Sequence, residues 1–215
     1  MPPFELVIFD CDGVLVDTEP VANAVLKYQL DAIGLEMPLD EVIRTFVGRS
    51  RGDCLEIAAR LRGAPLPPGF GEAWDRAFDA ALERETRAIE GIAELLRDFP
   101  LPYCVASNGE PARMRLALRA AGLMPLVEGR LFTASEVARP KPAPDLFLHA
   151  ARKMEAAPAR TAVIEDTVTG VTAGIAAGMQ VLAYAGAGHA DIASLRAAGA
   201  RVFSAMRELP GLLGL

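Results

Sequence analysis

The sequence predicts an α/β fold: a largely parallel sheet interrupted by a helical insertion. Three features predict it. Short β-branched or apolar runs alternate with helical segments along the 215 residues. The first run, Leu6–Phe9, is apolar without alternation, as for a central strand covered on both faces. Roughly ninety residues separate it from the next strand, far more than the dozen or so that a crossover needs.

In chain order, strands are expected at Leu6–Phe9, Tyr103–Ala106, Arg130–Thr133, Thr161–Ile164, Val181–Tyr184 and, weakly, Ala200–Phe203. The long segment after the first strand is helical in pattern. Val21, Val25, Tyr28 and Ala32 share one helical face, and Leu39–Phe46, Asp53–Leu61 and Glu72–Arg87 also read as helices. Gly63-Ala-Pro-Leu-Pro-Pro-Gly69 must break the helical run, because proline lacks the backbone donor a helix interior needs. Residues 15–85 are therefore expected to form a helical cap and residues 1–14 with 86–215 the sheet domain. Further helices are expected at Ile92–Asp98, Pro111–Ala121, Pro144–Met154, Val168–Ala177, Ala190–Ala198 and Ala205–Leu213, with no internal repeat.

Composition narrows the function classes. Hydrophobic residues make up 52% and charged residues 23%, values that support a packed core and exclude disorder. Lys+Arg 22 against Asp+Glu 28 gives a net charge of -6 with no basic run, which disfavours electrostatic capture of nucleic acid or an anionic membrane. The charge-free stretch Thr167–Gly188 reads as a small-residue helix followed by a strand rather than as a membrane span. The first ten residues carry no Lys or Arg, so no secretory signal is expected and a cytoplasmic location is. Cys11, Cys54 and Cys104 form no CxxC pair and are expected to be reduced, buried thiols.

Chemistry-bearing residues gather at the ends of the expected strands, where open α/β sheets bind ligands. Asp10 and Asp12 follow the first strand, and Gly13 permits the tight turn after them. Ser107-Asn108-Gly109 follows the second strand, and a hydroxyl, a backbone amide and a flexible glycine there can hold a phosphate oxygen. Lys141 stands among three prolines that can aim its ammonium at an anion. Glu165-Asp166 ends the strand at Ile164 and can complete an oxygen-rich Mg²⁺ site with Asp10. Each has an ordinary structural alternative, a turn, a helix cap or a solvated lysine, but their coincidence at four strand ends favours function.

Asp-Cys-Asp-Gly-Val-Leu-Val-Asp-Thr, Ser-Asn-Gly, Lys-Pro-Ala-Pro-Asp and Glu-Asp-Thr-Val-Thr-Gly, in that order, resemble the four motifs of the haloacid dehalogenase superfamily. The helical insertion is similar to the cap of the branch that holds β-phosphoglucomutase and small sugar-phosphate phosphatases. Within it, Ala88-Ile-Glu-Gly91 and Cys104-Val-Ala-Ser-Asn-Gly109 look most like bacterial 6-phosphogluconate phosphatase-type proteins. The resemblance implies a Rossmann-like catalytic core and a phosphatase of small phosphorylated metabolites. Asp10 would be the nucleophile and Asp12 the general acid and base. Mg²⁺ would be held by Asp10, the Asp12 carbonyl, Asp166 and, directly or through its neighbours, Glu165, with Ser107, Asn108 and Lys141 at the phosphoryl group.

Gly48-Arg49-Ser50-Arg51 is similar to a cap segment that meets the distal part of the substrate, which makes Arg51 a candidate anion-binding residue; a surface arginine at a helix start is the alternative. The mutase has a histidine where this chain has Ala22, which favours hydrolysis over a mutase reaction. His149 is expected to pack in a helix, and His189 lies in a glycine-rich loop. The rival readings are a phospho-accepting receiver domain, which has no large insertion after its first strand, and a non-catalytic binding protein, which needs neither Asp10 nor Asp12. The insertion is expected to close over the site as a unit about hinges at Val14–Thr18 and Arg84–Ile89. A monomer is the default expectation.

Overall fold

The computed structural model describes residues 3–187 and 190–215. It divides into two compact units, one formed by Met1–Asp17 with Arg87–Leu215 and one by Thr18–Thr86. The first unit opens with β1 (Leu6–Phe9) and β2 (Val16–Asp17). The second holds α1 (Glu19–Ala32), α2 (Leu39–Phe46), α3 (Arg51–Arg62) and α4 (Phe70–Glu85). The first unit resumes with β3 (Arg87–Ala88), α5 (Ile92–Arg97), β4 (Tyr103–Ser107), α6 (Pro111–Ala120), α7 (Met124–Val127) and β5 (Leu131–Thr133). It ends with α8 (Asp145–Lys153), β6 (Thr161–Glu165), α9 (Val168–Ala176), β7 (Gln180–Tyr184), α10 (Ile192–Ala197), β8 (Arg201–Phe203) and α11 (Leu209–Leu213).

Six strands form one parallel sheet in the order β5-β4-β1-β6-β7-β8. β1 is central, with Val7 opposite Tyr103 on one side and Ala162 on the other. Its unbroken apolar run meets the demand of burial on both faces. Val7 and Phe9 enter one core with Tyr103, Val105, Leu118 and Ile164, while Leu6 and Ile8 enter the opposite core with Cys104, Phe147, Val163 and Val171. Phe9 also meets Phe99 and Tyr103 edge to face, with centroids 5.8 and 6.1 Å away. The chain runs from β1 outward through β4 and β5, then returns to the other side of β1 to lay down β6, β7 and β8. The carboxyl ends of β1, β4 and β6 thus meet where the strand order reverses, the place that gathers ligands in such sheets.

The four-helix unit has its own core of Leu26, Leu30, Val42, Phe46, Ile57 and Phe70. Ser50 and Asp53 form a capping box that starts α3, and Gly63 ends it in the left-handed conformation. The proline-rich break lies between α3 and α4, as the sequence predicts.

Departures from the sequence reading are local. The expected helix Ala205–Leu213 splits into a 3₁₀ turn, Met206–Glu208, and α11, with Pro210 in the first turn, where its missing N–H does no harm. The antiparallel pair of β2 and β3 and the four-residue α7 are too short to leave a periodic signal. The stretch from Thr167 forms α9 and β7, and among the described residues no helix is long and apolar enough to cross a membrane.

α9 lies so close to the sheet that a Cβ on buried Gly174 would sit 2.6 Å from Val181 Cγ2. Gly→Ala ordinarily stabilises a helix by roughly 0.5–1 kcal/mol, but overpacking a buried contact costs about 1–3 kcal/mol. Gly174→Ala should therefore lower the midpoint of urea denaturation. Gly211→Ala, where nothing lies within 4 Å, should leave it unchanged or raise it.

Candidate active site

β1 hands its last residue to the site through one more sheet-like bond: the Asp10 N–H donates to the Ile164 carbonyl at 2.8 Å. The chain then folds on itself. The Cys11 carbonyl accepts from the N–H groups of Leu15 and Val16 at 2.9 and 3.1 Å, and the Gly13 N–H donates to the Val16 carbonyl at 2.8 Å. Gly13 has φ +77, and a Cβ there would overlap the Asp166 carboxylate. Glycine is thus required twice, by the turn and by the close approach of a second acidic loop.

The end of β4 supplies Ser107, whose Oγ accepts from the Gly109 N–H at 3.0 Å and keeps its own proton to donate. A Cβ built on Gly109 would lie 3.2 Å from Ser107 Oγ and 3.4 Å from Asp12 Oδ2, so both side chains border the same glycine. The loop between β5 and α8 supplies Lys141. Its buried Nζ donates to Asp10 Oδ1 and to Glu165 Oε1, both at 2.7 Å, and lies 4.6 Å from the Phe147 ring centroid. Asn108 does not reach into this group with its side chain. Its Oδ1 accepts from the Lys141 N–H and its Nδ2 donates to the Lys141 carbonyl, each at 3.0 Å.

The end of β6 supplies Glu165 and Asp166, which differ sharply. Beyond Lys141, Glu165 receives three donors at Oε2: the N–H groups of Asp166 and Thr167 at 3.0 Å and the Thr167 hydroxyl at 2.9 Å. Thr167 in turn accepts from the Gly170 N–H to cap α9, and a Cβ on Gly170 would overlap the Glu165 carboxylate. Asp166 Oδ1, by contrast, is buried with no hydrogen-bond partner among the described residues.

Asp10, Glu165 and Asp166 each offer an oxygen within 4.8 Å of the others. With Asp12 nearby, four carboxylates stand around one ammonium, which donates to two of them, Asp10 and Glu165. Burial drives Asp166 up to about 9, with Glu165 and Asp10 adding repulsion, and burial drives Asp10 up to about 7 against the pull of Lys141. Burial alone would lower Lys141, but Asp10 and Glu165 outweigh it and hold the ammonium above its usual range. An ammonium so held needs an ionised partner, so Asp166 takes a proton before Asp10 does. The orphaned Asp166 oxygen and the uncompensated negative charge both fit a hard cation with oxygen ligands such as Mg²⁺.

The sheet unit thus brings together Asp10, Asp12, Ser107, Asn108, Lys141, Glu165 and Asp166. Arg51 belongs to the helical unit, where its guanidinium forms a bidentate pair with Asp75 at 3.0 and 2.6 Å that ties α3 to α4. His149 accepts from Arg152 at Nδ1 and meets Glu136 and the Phe132 ring, a packing role on α8. His189 lies outside the described residues. The sequence reading missed Phe147 and Thr167. A threonine placed after paired acids, three residues before a helical glycine, was an available cap signal for Thr167; nothing local marks Phe147.

Comparison with known proteins agrees with this geometry. The family model described as haloacid dehalogenase-like hydrolase matches residues 4–178. The chain is 32% identical over 190 residues to the 6-phosphogluconate phosphatase of Escherichia coli, covering 88% of this chain and 86% of that protein. It is 28% identical to the phosphoglycolate phosphatase of Nitrosospira multiformis, covering 83% and 82%. A solved hydrolase of the same family from Deinococcus radiodurans, with bound phosphate and sodium, aligns over 100% of this chain and 96% of its own at TM-score 0.88 and 37% identity.

The charge imbalance predicts a pH effect of definite sign. Unfolded carboxyls release protons near 4, whereas Asp166 holds one to about 9 without a cation, so the native state binds more protons in between. Thermal unfolding in EDTA should therefore show stability falling as pH rises from about 4 to about 9, and the stabilisation by MgCl₂ should grow over the same range. A midpoint in EDTA that climbs with pH would contradict the charge assignment.

Proposed function

This chain belongs to the haloacid dehalogenase-like hydrolases, and from that premise we propose that it is a Mg²⁺-dependent phosphatase of small phosphorylated metabolites acting through an aspartyl-phosphate on Asp10. The observation that carries the reading is the state of Asp10. One oxygen is held by Lys141 at 2.7 Å, and the residue follows the central strand, with the Asp12 carboxylate near enough to repel it and Ser107 at the end of the neighbouring strand β4.

In the proposed chemistry, Asp10 Oδ2 attacks phosphorus and the bond to the ester oxygen breaks. Asp12 gives its proton to that leaving oxygen. Asp12 then takes a proton from water as the water oxygen attacks the phosphorus of the aspartyl-phosphate, which frees the Asp10 carboxylate and inorganic phosphate. A carboxylate meeting a phosphate dianion is repelled, and Lys141 reduces that repulsion from a fixed position. The Ser107 hydroxyl donates to a phosphoryl oxygen. Asp10, Asp166 and the Asp12 carbonyl would hold Mg²⁺, which would supply the remaining positive charge. Glu165, with both oxygens already hydrogen-bonded, orients Lys141 and the Asp166 backbone. The helical unit Thr18–Thr86 serves in this reading as the cap, and a capped site favours a small-molecule substrate.

The proposed substrate class is phosphorylated sugars and sugar acids, with 6-phosphogluconate first because the Escherichia coli relative bears that name. The test is phosphate release from a panel of phosphorylated metabolites. Activity should vanish in EDTA, return with Mg²⁺ and be lost in Asp10→Asn, while Lys141→Ala should lower kcat about 10²–10³-fold. Undiminished turnover in EDTA or in Asp10→Asn would falsify the mechanism. Faster conversion of β-glucose 1-phosphate to glucose 6-phosphate than phosphate release from any substrate would replace hydrolysis by a mutase reaction.

A further inference from the structure

The two hydrogen bonds between the Asn108 side chain and the Lys141 backbone have no part in the sheet and no part in the chemistry just described. They join residues 33 apart in sequence, from two different strand-end loops. Lys141 sits in Arg139-Pro-Lys-Pro-Ala-Pro144, where the prolines on either side carry no backbone N–H. Among Pro140, Lys141 and Pro142 the Lys141 N–H is therefore the only backbone donor, and Asn108 Oδ1 takes it. Asn108 Nδ2 takes the carbonyl of the same residue. A carboxamide presents one acceptor and one donor as a peptide group does, so the asparagine binds the lysine backbone as a neighbouring strand would. Only one orientation of the amide satisfies both partners.

The Lys141 side chain is held elsewhere: its ammonium touches Asp10, Glu165 and the Phe147 ring. Those contacts fix only the tip of a flexible four-carbon stem. Arg139, Pro140 and Pro142 around its base are exposed, and without a second anchor the base would move with them. We infer that Asn108 is a positioning residue: it clamps the Lys141 backbone so that the ammonium meets Asp10, and its side chain does not act on the phosphoryl group. The inference rests on the proposed role of Lys141 and gives the Asn108 side chain a task distinct from that of the backbone amide expected at the phosphoryl group.

The test combines kinetics with a measurement that needs no activity. With p-nitrophenyl phosphate and Mg²⁺, Asn108→Ala should lower kcat about 10- to 100-fold, the scale of a misplaced catalytic group. In a Lys141→Ala background the same substitution should change the rate less than about twofold, because the residue it acts through is gone. Effects that multiply instead would show an independent contact with substrate and overturn the inference. Separately, labelling of the metal-free protein with an amine-acetylating reagent, read by mass spectrometry, follows the lysine directly. Relative to exposed Lys153, acetylation of Lys141 should rise at least about fivefold in Asn108→Ala at an unchanged thermal midpoint. An unchanged ratio would overturn the inference. Should Asn108→Ala fail to fold, Asn108→Ser, too short to make both bonds, takes its place. If the wild-type protein releases no phosphate, the functional reading fails while the labelling still decides the position of Lys141.

Discussion

One buried ammonium shared by two carboxylates organises the catalytic half of this protein. Lys141 Nζ meets Asp10 and Glu165 at 2.7 Å each, and so pins together the ends of β1 and β6 and the loop before α8. Such a contact is favourable in a dry site only if every remaining polar atom is also satisfied. Most of the surrounding structure answers that demand. Thr167 and two backbone N–H groups saturate the far oxygen of Glu165, Phe147 gives the ammonium a π face, and Asn108 fixes the backbone from which the lysine extends. Asp166 Oδ1 is left over among the described residues, and it is the atom through which the site can take a cation.

Close packing sets the second constraint, and it falls on glycines. Gly13 and Gly170 each lie where a Cβ would overlap a functional carboxylate, Asp166 in one case and Glu165 in the other. The motifs are spaced as they are because two acidic loops and a helix start must converge on a volume with no room for additional methyl groups. Stability and function are thus not separable at these positions. The same absence of side chains that lets the loops approach also brings uncompensated charges together.

Much of this was legible in the sequence. The non-alternating run of β1 declared a strand buried on both faces, and the break at Pro65, Pro67 and Pro68 separated two helices of the inserted unit. Asp10, Asp12, Ser107, Lys141, Glu165 and Asp166 were found because each ends a strand or lies in a loop next to one, and the sheet order brings those ends together. Partnerships were less legible than positions. Asn108 could be placed at the site but not paired, since its partner lies 33 residues away with no local pattern to announce it. The resemblance left Glu165 either on the metal or behind its ligands, and only the three-dimensional donor set shows that Glu165 is saturated and Asp166 is not. Arg51 read as a candidate anion-binding residue or a surface arginine, and its pairing with Asp75, 24 residues further on, has no local signal either.

The charge inventory bears on why a protonated Asp12 fits the proposed chemistry. Four carboxylates face one ammonium, and a divalent cation still leaves one negative charge in a region from which water is largely excluded. Adding a phosphate dianion to that region is costly by simple Coulombic reasoning. One bound proton removes the residual charge. Of the four acids, Asp10 and Glu165 accept from Lys141 and Asp166 holds the cation in the proposed mechanism, so that mechanism assigns the proton to Asp12. Hydrolysis of a phosphate ester begins by needing a proton at the leaving oxygen. In the proposed mechanism the charge balance of the site and the first requirement of the reaction therefore call for the same thing, a proton on Asp12.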